Sequence, residues 1–160
     1  MFAVILGIGG DLSYRLMFKV GPEMRDKLMR EMLPTRGWPQ NVTELAEHFI
    51  KAHKICYENR NLLMHSNLVT GSERAIVLYK TGRDGRTTLS NPRLSELRQV
   101  ADDMMTYFNF GIHLSNRINF DLLGATPQAG DLSFPTWPSK PPLPIPLQYT
   151  SNPSTIQPLE

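Results

Sequence analysis

Between Val42 and Leu63 a row of side chains returns every third or fourth residue, through Leu45, Ala46, Phe49, His53, Cys56 and Arg60. Such spacing fits one long amphipathic α-helix and excludes a strand, in which successive side chains alternate between two faces. Glutamates and lysines occupy the far side from Thr43 onward and read as its solvated face. The pattern predicts an end near His65 and Ser66. A second long row follows: Leu94, Leu97, Val100, Ala101, Met104, Phe108, Gly111, Ile112, Ser115 and Ile118. It predicts a helix opening at Asn91-Pro92 or Ser95, fading near Phe120, with this row turned inward.

The remaining segments are shorter. The apolar opening Met1–Ile8 reads as a buried helix or strand, broken by Gly7, Gly9 and Gly10. It starts so abruptly that a longer natural N-terminus is expected. Asp11 is the predicted N-cap of a helix from Leu12 to Val20. Pro22, favoured at a first helical position, opens another to Leu33 with Met24, Leu28 and Met32 at helical spacing. Pro34 to Pro39 reads as a loop. The run Ala75-Ile76-Val77-Leu78-Tyr79 is the strong β signal, Thr81 to Gly85 is turn chemistry, and Thr87-Thr88-Leu89 returns. This predicts one β-hairpin near 73–90, too small to stand without helices to lean on.

Composition changes at Thr126. Nine of the 13 prolines lie between Pro127 and Pro158, which rules out a helix or a central strand there. The segment reads as extended, partly polyproline II, either draped on the domain or disordered. Pro138-Ser-Lys-Pro141 and Pro141-Pro-Leu-Pro144 match ligands of aromatic-lined grooves. The competing reading is an arm that packs Phe134, Trp137 and Leu143 on its own helices or on a dimer mate. The fold class expected is mainly α: a small bundle of four or five helices over 1–125, one hairpin, and a proline-rich extended arm over 126–160.

Charged residues make up 20% of the chain and formal net charge is +2, which argues against a protein that coats DNA but leaves room for a short contact with RNA. Cys56 is the single cysteine, so there is neither an internal disulfide nor a CxxC pair. His53 and Cys56, one helical turn apart, offer two ligands where a metal site needs more, and core packing is the preferred reading. Gly7-Ile8-Gly9-Gly10 lacks the Gly-Lys-Ser/Thr of a P-loop. No cofactor and no metal are expected. No stretch approaches the ~20 apolar residues of a membrane span, and no signal peptide is legible. A cytoplasmic protein without a membrane partner is the expectation.

The chemistry-bearing segment is Arg60-Asn61-Leu62-Leu63-Met64-His65. A histidine titrates near neutral pH and can move a proton. A guanidinium can hold a phosphate through two hydrogen bonds and offset charge building on its oxygens. Asn61 can orient the imidazole or the substrate. The set suits phosphodiester cleavage without a metal, with RNA supplying its own 2′-hydroxyl as nucleophile. Bland roles stand beside these: Arg60 paired with Asp102 or Asp103 across a helix interface, and His65 bonded to terminal helix carbonyls.

Arg-Asn followed by three residues and His, late on an amphipathic helix, resembles the motif of the HEPN superfamily. That resemblance implies a small helical bundle that dimerises to join two motifs in one composite site. It also implies a metal-independent endoribonuclease with Arg60 and His65 catalytic and Asn61 supporting. Non-catalytic HEPN-like modules that bind a protein or a nucleotide form the alternative, and a purely structural helical protein is a third. Over roughly residues 40–147 the chain also resembles a group of uncharacterised bacterial proteins. The shared pieces are Glu58-Asn59-Arg60-Asn61, Met64-His65-Ser66, the hairpin, Leu94-Ser95-Glu96-Leu97-Arg98, Ala101-Asp102-Asp103 and the proline-rich end. The expected partners are RNA, a second copy of the chain, or another protein.

Overall fold

The structure, a computed structural model, describes residues 1–70, 76–81, 87–124 and 136–149. It is mainly helical, with α1 (Phe2–Leu6), α2 (Gly10–Lys19), α3 (Pro22–Met32), α4 (Gln40–His65) and α5 (Leu94–Asp121), and strands β1 (Asn67–Thr70), β2 (Ile76–Thr81) and β3 (Thr87–Ser90). A 3-10 turn, Leu33–Arg36, fills part of the segment expected as loop. The chain divides into two compact units, one from residues 1–54 and 105–143, the other from 55–104 and 144–160. Both long helices contribute to each.

In the first unit, α1 and α3 close a core of Phe2, Ile5, Met29, Leu33, Ala46 and Ile50. The helix α1 stops at Gly7, which adopts a left-handed backbone at φ 65°. A Cβ there would also run into the Arg36 guanidinium. That guanidinium satisfies the end of α1, donating from Nε to the Ile5 carbonyl at 2.6 Å and from a terminal nitrogen to that of Val4 at 3.3 Å. Pro22 does open α3, after Gly21. Asp11 is not the N-cap of α2: the helix begins at Gly10, two residues before the expected Leu12, its N-cap is Gly9, and no side chain caps it. Asp11 instead places its charge in the first turn, where the helix dipole favours it. Gly111 on α5 lets the Phe49 ring of α4 approach its backbone, for an added Cβ would meet Phe49 Cε2 at 2.5 Å.

The second unit contains the sheet, of order β1-β2-β3. The expected hairpin forms, with Leu78 opposite Ser90 and Thr81 opposite Thr87. Ala75 and residues 82–85 of the turn expected over Thr81 to Gly85 lie outside the described residues. The sheet gains a strand that the pattern did not reveal. Asn67–Thr70 follows α4 at once and pairs antiparallel with β2, Asn67 opposite Tyr79. Four residues are too few to show alternation clearly, and only Ser66 separates them from the end of α4. At the start of α5, the Arg93 N–H donates to Glu96 Oε2 at 2.6 Å, a bond of the capping-box kind that places the boundary between the two openings expected.

The two long rows need correction. On α4 the buried positions run Val42, Leu45, Ala46, Ile50, Ala52, Cys56 and Asn59, and Arg60 is exposed. On α5 the buried row is Val100, Tyr107, Phe110, Gly111, Leu114 and Ile118. Met104, Phe108 and Ile112, expected inside, are exposed. The helix carries two apolar rows at the same spacing. The inner row holds Tyr107, whose hydroxyl meets His48 and the Pro141 and Pro142 carbonyls, and Gly111, which admits Phe49.

The proline-rich arm is ordered over 136–149 and lies on the chain's own helices. In the first unit, Tyr107 donates to the Pro142 carbonyl at 2.9 Å. His48 Nε2 lies 2.8 Å from the Tyr107 hydroxyl and 2.9 Å from the Pro141 carbonyl oxygen. Arg117 sits over the Trp137 ring at 5.8 Å. Phe134 lies outside the described residues.

Candidate functional site

Arg60, Asn61 and His65 occupy the last two turns of α4. Arg60 and His65 are exposed and Asn61 is half-buried. The Arg60 guanidinium donates to Asn61 Oδ1 at 3.4 Å. Of the two carboxylates that sequence offered to Arg60, Asp103 is engaged elsewhere: it accepts from Gln99 Nε2 at 2.8 Å and from the Ile145 N–H at 3.2 Å. Among the described residues no carboxylate lies within ion-pair distance of Arg60. The bond to Asn61 is the one hydrogen bond of this guanidinium seen among the described residues.

Helix geometry decides which groups meet. α4 is unbroken through His65, so Asn61 and His65, four residues apart, share one face. Arg60 and His65 are five apart, which places them about 140° from one another around the axis and ~7.5 Å along it. One chain thus brings Arg60 to Asn61 and Asn61 to the side of His65, but leaves Arg60 and His65 on different faces. Beyond His65 the chain turns through Ser66, whose hydroxyl is buried without a hydrogen-bond partner among the described residues.

Directly before the motif stands Asn59, a residue that the sequence pattern did not single out. It is 3% exposed. Its Nδ2 donates to the Ile145 carbonyl and its Oδ1 accepts the Leu147 N–H, both at 2.9 Å. Ser90 donates from Oγ to the Gln148 carbonyl at 2.6 Å. The second unit thereby holds the arm by its backbone, with Leu147 buried beside Asn59. The signal for Asn59 was present in outline: it continues the row Leu45, Phe49, Ala52, Cys56 at three- and four-residue steps, so a polar group had to enter the core and find partners.

His53 and Cys56 belong to packing. The His53 ring lies 5.8 Å from that of Phe49, and burial, then the nearby Arg25 charge, pulls its pKa below 6.5. The Cys56 thiol is pushed up to about 11, first by burial and then by Asp103. Among the described residues no three His, Cys, Asp or Glu gather to hold a metal, and no helix is long and apolar enough to cross a membrane.

No family model, no curated protein and no solved structure matches the chain.

Proposed function

We propose that the chain is a HEPN-like, metal-independent endoribonuclease that works as a homodimer. The observation that carries this reading is the state of the motif: an exposed Arg60 whose described partner is the neutral Asn61, and an exposed His65 on the same helix end. In the proposed reaction the 2′-oxygen of RNA attacks the adjacent phosphorus as it loses its proton, and the 5′-oxygen leaves with a proton. The products are a 2′,3′-cyclic phosphate and a 5′-hydroxyl. His65 suits one of the two proton transfers. Arg60 suits the non-bridging oxygens, where negative charge concentrates. Asn61 shares a face with His65 and holds the guanidinium. The divergence of Arg60 from His65 within one chain favours assembly of the site from two copies.

That same divergence supports the second reading, a non-catalytic module that binds a protein or nucleotide, if the chain acts singly. Cleavage of varied RNAs in EDTA separates the two. Wild type is expected to cleave, and Arg60→Ala and His65→Ala, both at exposed positions, to stay folded and lose activity. A dimeric wild type that leaves every RNA intact would discard the nuclease in favour of the module.

A further inference from the structure

In the first unit the arm meets α4 and α5 as a peptide meets a recognition site. Pro138 and Pro141, three residues apart, are half-buried, while Ser139, Lys140 and Pro142 are exposed. The same step continues at Pro144 and Leu147, both buried. This is the three-residue repeat of a polyproline II helix. Such a segment offers carbonyl oxygens but few N–H groups, because proline has none. The surface beneath it answers with donors. His113 Nε2 donates to the Thr136 carbonyl at 2.6 Å, His48 Nε2 to that of Pro141 at 2.9 Å, and the Tyr107 hydroxyl to that of Pro142 at 2.9 Å. The rings of His48, Tyr107 and Phe110 stand 5.9 to 6.0 Å from one another, and Tyr107 and Phe110 are buried, so the donors are held in place. Glu44 Oε2 accepts from Lys140 Nζ at 3.1 Å.

We propose that this surface is a recognition site for polyproline II peptides, and that residues 136–142 are its tethered occupant. The partner it fits is a proline-rich segment of another protein, with a lysine or arginine directly before a Pro-Pro pair. Three observations select this ligand. The hydrogen bonds reach backbone carbonyls, which every polyproline II segment presents, so they are not peculiar to this chain. The contact that selects a side chain, Glu44 with Lys140, is an exposed charge pair and asks only for a cation at that place. Asn59 and Ser90 hold the backbone at 145–148 in the second unit, so residues 136–142 can yield their place without release of the whole arm. The proposal draws on none of the residues of the Arg60 motif.

The test is fluorescence anisotropy of a labelled peptide, TWPSKPPLP, titrated with the full chain. In wild type the tethered segment competes at an effective concentration on the order of millimolar. A full chain carrying Lys140→Glu and Pro141→Gly, which repel Glu44 and loosen the polyproline II form, is expected to bind the peptide at least about tenfold more tightly than wild type. Adding Glu44→Lys, at an exposed position, should turn the preference by about fivefold toward a peptide with glutamate in place of lysine. A loosened chain that keeps its helical circular dichroism and binds no peptide overturns the proposal. So does equal binding of a peptide with alanine in place of each proline, or indifference to Glu44→Lys. A second measurement needs no variant: the amide resonances of Ser139 and Lys140 in wild type should shift as the peptide rises to millimolar concentration, and fixed resonances overturn the proposal. Sedimentation velocity separates the sources of the ligand. A wild-type dimer that the free peptide dissociates would assign the surface to the arm of a second copy and overturn the external partner.

Discussion

Replacing Asn59 by leucine tests how the arm is fastened. The new side chain has a similar branched shape and cannot hydrogen-bond. Two bonds disappear, those at 2.9 Å to the Ile145 carbonyl and the Leu147 N–H. The Leu147 N–H sits in a buried residue, so losing its acceptor costs the desolvation penalty of a buried donor, about 1–3 kcal/mol. Ile145 is mostly exposed, and water can reach its carbonyl, which limits that loss to about 1 kcal/mol. The added apolar burial offsets about 1 kcal/mol. The net expectation is a destabilisation of about 2 kcal/mol, read as a lower urea midpoint with an unchanged slope. Hydrogen exchange should show the Leu147 amide losing protection. In a double-mutant cycle with Leu147→Ala, the coupling should reach about 1 kcal/mol, since both changes release the same stretch of arm. An Asn59→Leu chain as stable as wild type, with a protected Leu147 amide, would refute the claim that this amide fastens the arm.

Three further outcomes follow from burial and contact. Cys56, with its thiol near pKa 11, should hold about one thiolate in a thousand at pH 8, so a disulfide reagent should label it only as the chain unfolds; rapid labelling of the native protein would contradict its burial. His53 has a folded pKa below its ordinary 6.5, so the unfolded chain binds more protons in that window. Its contribution is complete above 6.5 and is lost as pH falls through the folded value, so urea midpoints should drop on acidification and drop less in His53→Leu. Gly111→Ala sets a methyl 2.5 Å from Phe49 Cε2, and this overpacking of about 1–3 kcal/mol should outweigh the ~1 kcal/mol gained from helix propensity. The change should become neutral or stabilising in a Phe49→Leu background, and destabilisation of equal size in both backgrounds would show that the Phe49 ring is not the obstacle.

Apart from β1 and the 3-10 turn, the elements were legible because their signals are local. Three-four spacing marks α4 and α5, Gly21-Pro22 marks the start of α3, and β-branched runs mark β2 and β3. The faces were less legible, because which side of a helix is buried depends on what packs against it. α5 carries two rows at the same spacing, and hydropathy ranks Met104, Phe108 and Ile112 above Tyr107 and Gly111. The structure chooses the latter for reasons that lie elsewhere in the chain: Tyr107 bonds to the carbonyls of the arm, and Gly111 admits Phe49. The same holds directly before the motif, where Asn59 rather than Arg60 enters the core because the backbone at 145–147 supplies partners for an amide. At the motif, this shift has a chemical consequence. Arg60 read as buried would need a carboxylate, and Asp102 or Asp103 was the choice offered. With Asn59 inward and Asp103 held by Gln99 and Ile145, Arg60 stands exposed beside Asn61, although hydropathy spacing assigned it to the core.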